Sequence, residues 1–351
     1  MPLVGEVIVW AVIAVASTIV VWKGSVWLGI ASEHLSAYYG LPEIVRGAVV
    51  VAVGSSFPEL STVVISTWIH GEFELGVAAI VGSALFNILI IPAAARLAAP
   101  QPLRSNRDLV YKEAQFYLIA IAVLLLTFSF AAIYFPLEGP PGVILGELNR
   151  WLALMPIALY VLYAFVQYQD TMEHRAPVPP SGIRVARQWG ILLAALGVIA
   201  LGVEGLVRTA IRLGDVFDTP SFLWGITVVA AGTSVPDLFV SVTAARSQRA
   251  TASIANVLGS NVFDLLVCIP AGVLIAGTAA VNYSVAAPMM GVLTVATIAL
   301  FVMLRTQMAL SRAEAWILLL LYAVFIAWVT AESFDAVDLV RSLPPPTAPA
   351  P

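Results

Sequence analysis

The chain has 351 residues, of which 60% are hydrophobic and only 11% charged, with a formal net charge of −4 and a mean hydropathy of +0.96. Globular chains carry about a quarter charged residues, so most of this one cannot face water. That balance leaves no soluble domain large enough for an enzyme or a ligand sensor, and no nucleic-acid partner is expected.

Apolar stretches of about 20 residues read as membrane spans. In chain order there are ten: 7–36 (long and interrupted), 47–69, 75–95, 114–135, 151–169, 189–211, 222–245, 250–276, 283–304 and 313–331. The start, Met1-Pro2-Leu3-Val4-Gly5-Glu6, has no basic region, so the first span reads as retained and not as a cleaved signal. With alternating spans, twelve basic residues between Arg46 and Arg312 fall on one face, and Arg150, Arg208, Arg212 and Arg341 on the other. Basic loops stay in the cytoplasm, which predicts an integral membrane protein with both termini outside. Residues 170–187 form a short cytoplasmic linker carrying Ala176-Pro177-Val178-Pro179-Pro180, and 333–351 a Pro-rich tail read as disordered. The expected units are thus 1–169 and 188–332.

The chain repeats itself. Gly54-Ser55-Ser56-Phe57-Pro58-Glu59 is matched by Gly232-Thr233-Ser234-Val235-Pro236-Asp237. Downstream, Gly82-Ser83-Ala84-Leu85-Phe86-Asn87 is matched by Gly259-Ser260-Asn261-Val262-Phe263-Asp264. Five spans precede the linker and five follow, so the second copy enters the membrane from the opposite side. Inverted repeats of this kind build secondary transporters whose sites lie near the midplane on broken helices. The predicted fold is therefore an all-α polytopic membrane protein of two inverted five-helix repeats.

Proline lacks an amide hydrogen and crowds the carbonyl four residues back, so Pro58 and Pro236 are expected to break their helices and free the carbonyls of Gly54 and Gly232. Ser55 and Glu59, Thr233 and Asp237, Ser83 and Asn87, and Ser260 and Asp264 are each four apart, a spacing that shares a helix face. A carboxylate inside an apolar span is costly without a proton, a partner or a cation. Hydroxyls, an amide and three carboxylates are hard oxygen ligands suited to Ca2+, Na+, K+ or Mg2+, and poor for zinc or copper. Ser and Thr often only bond the backbone in such helices; the matched positions of Glu59, Asp237 and Asp264 favour a shared cation site.

Other features read as structural. Cys268 is a packed core thiol. His34, His70 and His174 share no metal-ligand spacing. Glu204 and Arg208 pair with each other, and Lys23 snorkels or faces a cavity.

The two repeats resemble the alpha-repeats of the cation/Ca2+ exchanger superfamily, across nearly the whole chain. The resemblance implies a ten-span antiporter with Glu59 and Asp237 as central Ca2+ carboxylates. It implies hydroxyl ligands from Ser55, Ser56, Thr233 and Ser234, and flanking Na+ sites completed by Ser83, Asn87, Ser260 and Asp264. The carbonyls of Ala52 and Ala230 would contribute, and the long first and sixth spans would slide together. Ala84 after Gly82-Ser83, with aspartate at 237 and 264, looks most like the K+-dependent Na+/Ca2+ exchangers. No cofactor is implied beyond the transported ions. An H+/Ca2+ antiporter or a Mg2+ exporter of the same fold stands as the alternative. A passive cation channel and an intramembrane protease are disfavoured, the latter by the lack of a His-Glu-x-x-His motif.

Overall fold

The computed structural model describes residues 2–39, 52–169, 184–247, 250–334, 336, 337 and 340. The start of the second expected span, most of the linker and most of the Pro-rich tail lie outside the described residues. Thirteen helices are described: α1 Pro2–Tyr38, α2 Ala52–Ser55, α3 Phe57–Trp68, α4 Phe73–Ala98, α5 Ala114–Tyr134, α6 Arg150–Gln169, α7 Val185–Phe217, α8 Ser221–Trp224, α9 Ala230–Arg246, α10 Ala250–Phe263, α11 Ile269–Ala276, α12 Tyr283–Arg305 and α13 Arg312–Ser333. Wide π-helical segments join α8 to α9 over Gly225–Val229 and α10 to α11 over Asp264–Cys268, and precede α5 over Asp108–Glu113.

Nine stretches among the described residues are long and apolar enough to span a bilayer. The tenth expected span is the one containing α2 and α3, only part of which is described. The all-α polytopic class is thus the observed one. Along α1, Val4, Ile8, Val12, Val15 and Ile19 are 49 to 62% exposed, a continuous apolar face that water would penalise and lipid would not. At the other extreme, α4 sits at the centre, with residues from Phe73 to Arg96 buried along its length.

Two expectations about individual helices are corrected. The first span is an unbroken 37-residue helix; its glycines are compatible with helical backbone and interrupt nothing. The second correction concerns Pro236, which lies inside a continuous α9. The irregular backbone of that repeat is the π segment upstream, which widens the helix before the proline is reached. Pro58 behaves as predicted: the chain leaves helical hydrogen bonding at Ser56, and Pro58 occupies the first turn of α3, where its missing amide costs nothing. The break separates Ser55 on α2 from Glu59 on α3, so the shared-face argument does not apply to that pair.

Short strands tie the helix connections together. β1 Leu103–Arg104 follows α4 and pairs antiparallel with β5 Ala309–Leu310, which follows α12. β3 Leu145–Asn149 follows α5 and pairs with β4 Thr278–Asn282, which follows α11, while β2 Pro136–Leu137 adds to its edge. In the repeat, α4 corresponds to α10–α11 and α5 to α12. The β1–β5 pair and the β4–β3 pair are therefore counterparts of one another. Five spans separate β1 from β4, which puts the two pairs on opposite faces. That is the arrangement an inverted repeat demands.

Helix ends follow local chemistry. Ser311 and Glu314 form a reciprocal capping box at the start of α13, satisfying two orphan donors. Gly277, at φ 88°, ends α11 with a conformation that other residues resist. The helices α1 and α7 pack along each other on one side of the bundle and touch the repeat helices: Trp22 of α1 stacks on Phe239 of α9 at 4.4 Å.

Candidate cation site

Every carboxylate singled out in the repeats is buried: Glu59 is 2% exposed, Asp237 2% and Asp264 0%. They come from α3, from α9 and from the π segment after α10. All three lie within electrostatic reach of one another, Glu59 facing both aspartates and Asp264 facing Asp237. No Lys or Arg among the described residues pairs with them. Three acids share a dry space without a basic partner, where charge interactions are strong and ionisation without a counter-charge is costly.

Hydroxyls interleave them. The Ser83 hydroxyl on α4 lies 3.4 Å from Glu59 Oε1, toward which it donates, and 2.8 Å from the Ser234 hydroxyl of α9. Thr233 sits beside Glu59, Ser56 beside Asp264, and Ser260 and Asn256 beside Asp237. The hydroxyls of Thr233 and Ser234 donate to the Ala230 carbonyl at 3.2 and 2.8 Å, and that of Ser260 donates to the Val257 carbonyl at 3.1 Å. Ser55 and Ala52 lie on α2, just before the break at Ser56.

The α4–α9 crossing is what lets Ser83 reach Ser234. A Cβ on Gly82 would stand 2.3 Å from the Ile226 carbonyl oxygen and 2.7 Å from the Ala230 Cβ, so only glycine permits this approach. Its counterpart Gly259 has nothing within 4 Å of a built Cβ. The duplication is close in sequence and asymmetric in packing.

Five buried oxygens of this region have no hydrogen-bond partner: Ser56 Oγ, Glu59 Oε2, Asn87 Oδ1, Asp237 Oδ1 and Asp264 Oδ2. Buried polar atoms are almost always satisfied; three of these five oxygens belong to carboxyl groups, and Asn256 Nδ2, beside Asp237, is unpartnered as well. Such a lining fits a hard cation. No group of three His, Cys, Asp and Glu side chains among the described residues is arranged to hold a metal ion by itself. A cation here therefore draws on hydroxyl, amide and carbonyl oxygens as well as on the acids.

The structure brings together Ser56, Glu59, Ser83, Thr233, Ser234, Asp237, Ser260 and Asp264. Asn87 joins through a residue that sequence reasoning missed. Asn87 Nδ2 donates to Asn261 Oδ1 at 2.9 Å, and Asn261 Nδ2 donates to the Ala84 carbonyl at 3.2 Å and to the Tyr117 hydroxyl at 3.1 Å. The signal was present: Asn261 stands where the first repeat has Ala84, and Tyr117 lies within a span and is fully buried, away from the interfacial belt where tyrosines concentrate. Cys268, buried as expected, donates its Sγ–H to Asp264 Oδ1 at 3.8 Å. Glu204 pairs with Arg208, as the spacing suggested, and also with His70 at 3.0 Å. Lys23 lies 5.0 Å from the ring centroid of Trp22.

A model of the sodium/calcium exchanger protein family matches residues 9–169 and 187–331. The sodium/calcium exchanger MaX1 of Methanosarcina acetivorans is 22% identical over 342 residues, 87% of this chain and 93% of that protein. Sodium/potassium/calcium exchanger 4 of Mus musculus is 36% identical over 143 residues, 40% of this chain and 20% of that protein. A solved structure of the sodium-calcium exchanger NCX_Mj, soaked with Na+ and Sr2+, superposes with a TM-score of 0.63 at 21% identity, over 92% of this chain and 98% of that chain. At that identity the likeness is one of fold.

Proposed function

This chain belongs to the sodium/calcium exchanger protein family, and on that premise we propose that it exchanges Ca2+ for Na+ by alternating access at the carboxylate site. It is an integral membrane antiporter with metal ions as substrates. Glu59 and Asp237 are read as the central Ca2+ acids, with Ser55, Ser56, Thr233, Ser234 and the carbonyls of Ala52 and Ala230 as partners. Ser83, Asn87, Ser260 and Asp264 complete flanking Na+ positions. The observation that carries the reading is the set of five unpartnered buried oxygens, three of them on the acids, with no basic counter-charge among the described residues.

Competition follows from shared oxygens. One Ca2+ or several Na+ ions neutralise the acids, and each occupant excludes the other. An empty site would carry uncompensated charge past an apolar barrier, which is strongly penalised. Only loaded forms cross, and loaded crossing under competition is antiport. The long α1 and α7, packed on each other and touching α9, are the pair read as sliding across the site. The basic-residue asymmetry supports termini on the outer face. K+ co-transport is a further reading, favoured by Asp264 and by the similarity to sodium/potassium/calcium exchangers.

The test is flux in proteoliposomes, with Na+, K+ and pH gradients imposed separately against radiolabelled Ca2+. A Na+ gradient should drive uptake, and Glu59→Gln or Asp237→Asn should abolish it in protein that keeps its unfolding temperature. Uptake retained in both variants would defeat the site assignment. Uptake driven by a pH gradient alone would replace Na+ with H+ as the coupling ion.

A further inference from the structure

The rim where β1 meets β5 collects arginines. Arg96 lies in the last turn of α4, Arg104 is in β1, Arg305 ends α12 and Arg312 begins α13. The pairing sets Leu103 against Leu310 and Arg104 against Ala309. Both leucines are buried, so Arg104, on the other face of the pleat, turns outward and is exposed. Arg305 and Arg312 are exposed as well. None of the four makes an ion pair among the described residues. Glu314, two residues from Arg312, accepts from the Ser311 N–H instead. The other end of α4, where His70 meets Glu204, is different: Arg208 pairs with Glu204, and Arg212 lies 3.6 Å from Asp215.

Arg96 is the second observation. It is 7% exposed, and its Nη1 donates to the carbonyls of Ala99 at 3.4 Å and Gln101 at 3.2 Å. Carbonyls take up hydrogen bonds and carry no net charge. Arg96 also faces Arg312 within electrostatic reach. Like charges repel, more strongly where one of them is out of water. The rim is short of negative charge, and an anion held by Arg312 would supply it.

The helices beneath the arginines select the anion. On α12, Arg305 stands over Val302, Ile298 and Val295, at steps of three, four and three residues. On α13, Arg312 stands over Trp316, Leu320 and Val324, at steps of four. Such steps share a helix face, and all six apolar side chains are exposed. Both helices are long and apolar enough to span a bilayer. Each arginine therefore tops a stripe that acyl chains would cover. A soluble phosphate would use the guanidinium groups alone, whereas a phospholipid uses both. Guanidinium forks match phosphate oxygens, and basic pockets between spans suit anionic headgroups. A zwitterionic head would add an ammonium to a cluster already too positive. We propose that this arginine rim holds the headgroup of an anionic phospholipid, its phosphate on Arg305 and Arg312 and its chains along the two stripes, with Arg96 and Arg104 adding positive charge around it.

The full-length protein, reconstituted in nanodiscs of phosphatidylcholine with a minor fraction of phosphatidylglycerol, would be released into detergent and its retained lipid quantified by mass spectrometry. Phosphatidylglycerol should be enriched over its share of the disc by about fivefold or more, the contribution of one arginine at a charged headgroup. Replacing both rim residues, Arg305→Gln with Arg312→Gln, should return the ratio to that of the disc. Arg208→Gln with Arg212→Gln, at the other end of α4, should leave it raised. A wild-type ratio equal to that of the disc would overturn the proposal. So would enrichment that survives the rim substitutions, or enrichment lost equally in both double variants. A competition arm on the wild-type protein holds even if the rim variant unfolds. Phosphatidylglycerol retained against millimolar inorganic phosphate and glycerol 3-phosphate supports a lipid held by head and chains; displacement by either assigns the rim to a soluble anion and overturns the lipid.

Discussion

Asn87 and Asn261 come from opposite halves of the chain and meet head to head, Nδ2 donating to Oδ1 at 2.9 Å, both fully buried. The bond fixes which end of the Asn87 amide faces the acids. Its nitrogen is engaged, so its unpartnered oxygen is the atom left for a cation. Asn261 itself is held by the Ala84 carbonyl and the Tyr117 hydroxyl.

Asn261→Ala should therefore do two things. It should strand the Asn87 amide nitrogen, lowering stability by about 1–3 kcal/mol. It should also weaken half-saturating Ca2+ or Na+ in exchange assays, because Asn87 is then free to flip. Thermal unfolding in detergent and ion-dependence of flux measure the two separately. Unchanged values in both would remove Asn261 from the positioning role.

Gly82 and Gly259 occupy matched positions with opposite surroundings. Gly82→Ala should force α4 from α9 and cost about 1–3 kcal/mol, the usual range for overpacking. Gly259→Ala meets nothing within 4 Å and should be neutral or slightly stabilising, since alanine favours helix. Parallel melting curves of the two variants decide this; equal losses would contradict the described crossing.

Ser83 is the hydroxyl between Glu59 and Ser234. Ser83→Ala removes one neutral hydrogen-bonding group, worth about 1 kcal/mol, and should weaken Ca2+ affinity by less than about tenfold. Glu59→Gln, by comparison, should abolish exchange. Calcium titrations of flux rank the two, and a larger effect from Ser83→Ala would reverse their assigned roles.

Cys268 offers a probe that needs no added residue. It is the only cysteine of the chain, it is fully buried, and it touches Asp264. A membrane-impermeant maleimide should leave the native protein unlabelled and modify it stoichiometrically after denaturation. Rapid native labelling would show water reaching Asp264 from one side of the membrane.

The sequence made some levels of this architecture readable and hid others. Ten apolar runs and a duplicated motif are consequences of composition and spacing, which act over any stretch of chain. Burial of Glu59, Asp237 and Asp264 was foreseeable because an acid in such a run has no cheap alternative. The unbroken course of α9 through Pro236 was not, since the π segment that precedes it depends on how α8 and α4 pack. The contrast between Gly82 and Gly259 was equally invisible, because the two glycines differ only in what lies across from them. The strand pairs escaped notice because ladders of two to five residues leave too little periodicity to read. Asn261 and Tyr117 were legible only as departures, one from its repeat partner and one from the usual depth of tyrosine.

The strand pairs have one more consequence. At each rim of the bundle a hydrogen-bonded ladder staples a connection of the first half to a connection of the second, β1 to β5 and β3 to β4. Helices α5 and α12 are thus pinned at both ends, and α4 and α11 at one, into a frame that cannot shear without tearing backbone bonds. Neither ladder includes a residue adjoining α1 or α7. Displacement of that pair therefore breaks no strand hydrogen bond.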